Sequence, residues 1–150
     1  MRFKIDHTDG SENRNLIYEE DEYSFDMSPW DNAIDFELAL NKLTMSVVGD
    51  KVIQISGFCG LTKEMNSNIR IPKYEKGALR VEHNFEHGFT YSIDDEDLPV
   101  QLNAATGWVC IGTANEVGQG VEFINNCVAV ISDSGEFLSL WLKPIEFPNL

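Results

Sequence analysis

The sequence predicts a mainly β protein (a β-rich α+β chain) built as a single-domain antiparallel sandwich or open barrel with at most one or two small helices. Three observations predict this. Short β-branched and aromatic runs recur between turn residues, apolar positions alternate with period two, and only one stretch offers helical spacing. The 150 residues suit one domain, 1–150, large enough to bury a core without a disulfide or metal staple. No composition shift marks a linker and no internal period appears.

In chain order, Arg2-Phe3-Lys4-Ile5-Asp6 alternates polar and apolar, as a half-buried strand does, and Asp9-Gly10-Ser11 is turn chemistry. Residues 19–32 are acidic and aromatic, contain Pro29, and read as a long loop or irregular edge. Residues 30–48 fit two structures. Ser28 and Pro29 could cap a helix in which Ala33, Phe36, Leu40, Leu43 and Val47 share a face. Ile34, Phe36, Leu38 and Leu40 also alternate strictly, and Leu43, Met45 and Val47 then alternate in the opposite parity. A two-residue turn at Asn41-Lys42 produces that switch, which favours two strands over the helix.

Val48-Gly49-Asp50-Lys51 reads as a tight turn into the β-branched strand Lys51–Phe58. Residues 61–77 read mainly as loop, and 78–82 with 89–93 as an antiparallel pair. Trp108–Ile111 and Val121–Ile124 are strands, and Asn125-Asn126 tolerates positive φ. Cys127–Ile131 is continuously apolar, so it is expected to be buried on both faces. Ser132–Gly135 turns the chain into Phe137–Leu142, with Leu138, Leu140 and Leu142 on one side, and this hairpin is expected mid-sheet. Pro144 and Pro148 end it. The sum is nine to eleven short strands.

The charge is unusual. Twenty-five acids face 11 bases, a formal charge of −14, which repels phosphate and anionic lipid and favours a cationic protein partner. Nucleic acid and membrane partners are therefore not expected. Residues 1–50 hold 12 of the acids and 4 of the bases. Two blocks concentrate them, Glu19-Glu20-Asp21-Glu22 between two tyrosines and Asp94-Asp95-Glu96-Asp97. Either block alone is ordinary loop solvation. Tyr18, Tyr23, Phe25 and Trp30 interleave with the first, and aromatics beside carboxylates are what anchors for a basic partner require.

Motifs for catalysis are thin. Cys59, Cys110 and Cys127 are odd in number, widely spaced and set among apolar residues; with a polar amino terminus they suggest a reducing cytoplasm. Cys59 lies in Gly57-Phe58-Cys59-Gly60, but a nucleophilic thiol needs a nearby base, and a negative field favours the neutral form. His83 and His87 are four residues apart, without HExxH or a third ligand, and the 94–97 block lacks the glycine and distal glutamate of a calcium loop. Gly112–Gly120 is glycine-rich without a phosphate-binding signature and reads as a hairpin loop. No catalytic residue, cofactor or metal site is expected.

One resemblance adds to this. Ile53-Gln54-Ile55-Ser56-Gly57-Phe58-Cys59, Gly107-Trp108-Val109-Cys110-Ile111-Gly112, Val121-Glu122-Phe123 leading into Val128-Ala129-Val130-Ile131, and Leu138-Ser139-Leu140-Trp141-Leu142-Lys143-Pro144 together resemble the immunity proteins of contact-dependent growth inhibition, the CdiI class. It covers roughly 51–60 and 107–144, core strands and turns, and transfers no contact residue. It implies a bacterial cytoplasmic protein, not an enzyme, that neutralises a cationic toxin domain such as an RNase by blocking its active site or substrate surface. The expected contacts, from charge, are Glu19, Glu20, Asp21, Glu22 and Trp30, with Asp94, Asp95, Glu96 and Asp97 second. The alternative is a small-ligand-binding or hydrolytic β-barrel with a dispersed site.

Overall fold

The alternation of apolar residues is realised as two β-sheets. The computed structural model describes residues 1–150. The strands are β1 (Arg2–Asp6), β2 (Asn15–Glu19), β3 (Ser24–Ser28), β4 (Phe36–Leu40), β5 (Leu43–Val48), β6 (Lys51–Phe58), β7 (Tyr74–Lys76), β8 (Ala78–Glu82), β9 (Thr90–Ser92), β10 (Val100–Asn103), β11 (Trp108–Gly112), β12 (Gln119–Ile124), β13 (Cys127–Ile131) and β14 (Phe137–Leu142). One 3₁₀ turn, Lys63–Met65, is the only helical element. The fold is all-β, and one of the sheets curls into a half-barrel.

The first sheet runs β1-β8-β6-β5-β4-β9, with the β2–β3 hairpin attached to the end of β6. The second runs β10-β11-β14-β13-β12-β7. Pairings are antiparallel except β4–β9 and β7–β12. A core of 28 buried side chains, among them Phe25, Phe36, Leu38, Met45, Val109, Phe123 and Leu140, draws on both sheets and joins them.

The parity switch at Asn41-Lys42 is a two-residue hairpin, with Leu40 opposite Leu43 and Asn41 at φ 54°, so residues 36–48 form two strands and no helix. Gly49 and Asn126 take positive φ in the next turns, as their residue types allow. Cys127–Ile131 is buried throughout and β13–β14 is central in its sheet. A second cluster explains the two-sided burial: Trp108, Cys110, Val128, Val130 and Trp141 fill the outer face of the second sheet, covered by Ile69 and Ile71 from the 61–77 loop.

Five expectations are corrected. There are fourteen strands, because short edge strands pair with distant partners that local pattern does not reveal. Residues 19–32 are not a loop throughout, since β2 and β3 form a hairpin whose turn holds the acidic block and Tyr23 at φ 53°. β8 and β9 do not pair with each other; β8 lies beside β1 and β6, and β9 beside β4. The 113–118 loop is not a hairpin, because β11 pairs with β10 and β14, not with β12. Leu138 does not share a side with Leu140 and Leu142. A bulge pairs Phe137 with Ile131 and Ser139 with Val130, so the extra residue Leu138 turns to the outer cluster.

Candidate functional site

Cross-strand register decides where the carboxylates lie. Ser24 pairs with Phe58, Gly57 with Leu43, Leu40 with Leu43, and Ala39 with Ser92. The β2–β3 turn, the end of β6, the β4–β5 turn and the exit of β9 therefore share one end of the first sheet. The first block's turn is next to Phe58 in register, Asp97 of the second lines one groove with Phe58, and Asp94 reaches away to a cleft with Met1, Phe3 and Glu136.

Each component is held by the backbone. The Cys59 N–H donates to the Tyr23 carbonyl at 2.8 Å, tying the chain after β6 to the acidic turn. The buried Tyr18 hydroxyl donates to the Cys59 carbonyl at 2.7 Å and accepts from the Leu61 N–H at 3.3 Å. On the other side, the Asn41 amide grips Leu98 twice. Its Nδ2 donates to the Leu98 carbonyl at 2.9 Å and its Oδ1 accepts from the Leu98 N–H at 2.8 Å. This bidentate clamp brings Asp97 to the β4–β5 turn.

Glu19, Glu20, Asp21, Glu22, Asp94, Asp95, Glu96 and Asp97 are all exposed. None takes part in an ion pair; Glu20 accepts the Asn149 N–H and Asp94 that of Glu96. Between the blocks stand Tyr23 and Phe58, 55% and 48% exposed, with ring centroids 6.4 Å apart. Lys42 rests its Nζ 5.3 Å from the Phe58 centroid. Beneath is a groove of about 190 Å³ lined by Asn41, Lys42, Leu43, Phe58, Cys59, Gly60, Asp97, Val100 and Ile111. Burial pushes the Cys59 thiol up to about 11, which keeps it protonated at neutral pH.

Trp30 is not part of this end. Register sets Ser28 against Asn15, so Trp30 lies past the opposite end of β3, five residues or about 17 Å along the strand. It rides on residues 29–33, which strap across the outer face of the first sheet. The strap is held by Gln54, which accepts the Asp31 N–H at 2.9 Å and donates to the Asp31 carbonyl at 2.7 Å, and by Arg14, which donates to the Pro29 and Ile53 carbonyls. Phe25 and Tyr18 are core residues. The exposure of Phe58 does not follow from the apolar pattern of its strand. Its signal is Gly57, whose φ of 133° bends the strand end just before it.

The other candidates do not assemble. The His83 Nε2 lies 2.9 Å from the Gly49 carbonyl and its ring stacks on Phe85, while the exposed His87 sits 3.9 Å from Asp35. No three His, Cys, Asp or Glu residues gather in a metal-holding group. Cys110 and Cys127 are buried, and their thiols are pushed up by that burial, Cys110 to about 12. The largest cavity, about 760 Å³, is an open cleft beside edge strand β7, lined by His7, Ile71, Pro72, Lys73, Tyr74, Glu75, Gly118, Gln119 and Gly120. Its ionisable groups are not hydrogen-bonded to one another. No helix is long and apolar enough to cross a membrane.

No protein-family model matches the chain, and no curated protein matches it. What the fold and this end define is an all-β protein with an unpaired acidic, aromatic-centred surface.

Proposed function

We propose that this chain is a binding protein, specifically a cytoplasmic immunity protein that neutralises a cationic bacterial toxin domain, a nuclease, by covering its active site or phosphate-binding surface. The observation that carries the reading is that two acidic blocks, eight carboxylates without an ion pair, border the sheet end where Tyr23 and Phe58 are exposed, with Asp97 on the groove beside Phe58. Spaced carboxylates are the electrostatic counterpart of a nucleic-acid backbone, so a surface built to bind phosphate is attracted to them. Charge of this kind raises the association rate, and desolvated aromatic anchors set the lifetime of the complex.

The test is co-expression with the reading frame adjacent to this chain's own. Growth arrest by that product alone, relieved by this chain, is the expected result; a harmless neighbour counts against the reading. With the toxin domain in hand, the combined variant Glu19→Gln, Glu20→Gln, Asp21→Asn, Glu22→Gln should slow association about tenfold at low salt and flatten its salt dependence. An unchanged rate would remove this block from the interface.

A further inference from the structure

The groove beneath Phe58 has a size, a lining and a cation at its Phe58 wall that point to one kind of side chain. Leu43, Cys59, Val100 and Ile111 make its apolar lining, Phe58 one wall and Asp97 its acidic rim. Val100 and Ile111 come from the second sheet, so the groove lies where the two sheets meet. Its volume, about 190 Å³, falls below the roughly 300–1,000 Å³ of small-molecule sites and suits a single long side chain.

Lys42 shows what this place accepts. Asp97 lines the same groove, yet the Lys42 ammonium pairs with neither it nor any other carboxylate of the two blocks and lies over the Phe58 ring. A cation over an exposed ring is weakly held, because water competes for it. It can therefore be exchanged for a better one.

We propose that this groove receives one arginine side chain of a protein partner, with Lys42 as the internal cation that holds the place until it arrives. The inference rests on the acidic end being the binding surface, and it names the anchor there. A guanidinium is favoured over an ammonium because it is planar, less strongly hydrated, stacks on an aromatic face and can present two N–H groups to Asp97. The apolar lining takes the methylene stem.

Two glycines make the groove testable. Gly57 cannot be changed without damage, since a Cβ there would collide with the Lys42 carbonyl and its φ is 133°. Gly60 has no such constraint, for a Cβ there meets only the Phe58 ring, at 3.5 and 3.8 Å. Gly60→Leu therefore plugs the groove without backbone strain.

The experiment is amide chemical-shift mapping by NMR on the whole chain, titrated at low salt with acetylated hexa-arginine and, separately, hexalysine. Wild type is compared with Gly60→Leu, Lys42→Gln and Lys76→Gln. Lys76 lies on β7 in the other sheet, so its variant makes the same charge change away from the groove. Hexa-arginine is expected to shift Phe58, Cys59, Gly60, Val100 and Ile111, and to bind more tightly than hexalysine. Gly60→Leu should weaken it about tenfold, and Lys42→Gln should tighten it about two- to threefold beyond Lys76→Gln. Shifts confined to 19–22 and 94–97, with Gly60→Leu like wild type and Lys42→Gln like Lys76→Gln, overturn the groove and leave the acidic surface standing. Absence of any shift at this end of the sheet overturns both.

Discussion

The two ends of the first sheet use the same residue type in opposite ways. At the β5–β6 turn end, carboxylates are tied. Arg80 donates from Nε to Asp6 at 3.0 Å, from one terminal nitrogen to Asp50 at 2.6 Å and from the other to Asp9 at 2.8 Å, while Lys51 lies 3.3 Å from Asp9 and 3.5 Å from Glu12. At the β4–β5 turn end, eight carboxylates have no basic partner, and the one lysine among them sits on a ring. A formal charge of −14 describes both ends together. Topology sorts it, fastening β1, β6 and β8 with one group of acids and leaving the other to project a field. Charges more than a Debye length apart, about 8 Å in physiological salt, act separately, so the paired end does little to quench the open one.

The largest effect is expected under the open end, at Tyr18. Its buried hydroxyl is the link between β2 and the chain at Cys59–Leu61, and its phenol is shifted upward chiefly by burial. Tyr18→Phe leaves the Cys59 carbonyl and Leu61 N–H without that partner. We expect a loss of about 1–3 kcal/mol in urea unfolding. The chain beneath Phe58 should also loosen, read as faster amide exchange at Cys59 and Leu61. If stability and exchange both hold, the acidic end is supported by some other contact.

A smaller effect is expected at the tied end, because solvent-exposed ion pairs contribute little each. Asp6 is held down to about 2, first by the Thr8 hydroxyl, then by Arg80. Asp9 is lowered by the Gly10 N–H and then by Lys51. A carboxylate whose folded pKa is depressed adds stability that is present above its unfolded value near 3.8 and is lost as pH falls through the folded value. The wild type should therefore lose this contribution between about pH 4 and pH 2. Arg80→Met should be less stable at neutral pH, and the gap to wild type should close across that window. A gap that stays constant down to pH 2 would show that Arg80 acts through packing rather than charge.

Most of the central strands were legible because local chemistry and long-range pairing agree there. The Asn41-Lys42 turn could be placed by parity alone, and the continuous apolar run 127–131 announced a strand buried on both faces. The β2–β3 hairpin is hidden because its turn is three acids and a tyrosine at positive φ, with no glycine to mark it. Edge strand β7 is hidden, and β9 is legible as a strand but not in its pairing, because their parallel partners lie far away in sequence. The acidic blocks themselves were legible as composition, but their convergence was not, since it depends on the Asn41–Leu98 clamp across 57 residues. Sequence proximity groups Trp30 with Glu22, whereas five residues of strand separate them in space. Phe58, which nothing in the charge pattern marks, stands at the centre.

The least effect on stability, and the sharpest test of the division of labour, belongs to the second acidic block. Asp94, Asp95, Glu96 and Asp97 form no ion pair, and only Asp94 accepts a hydrogen bond from within the chain, at the Glu96 N–H. Asp95→Asn, Glu96→Gln and Asp97→Asn together should therefore change the unfolding free energy by no more than about 0.5 kcal/mol. The sign should be stabilising, because like charges around Phe58 repel one another in the folded state. The Asn41 clamp is made to the backbone of Leu98, so it survives the substitutions. A clear loss of stability would mean that these acids have a structural partner, and that the two ends are not as different as their ion pairs make them.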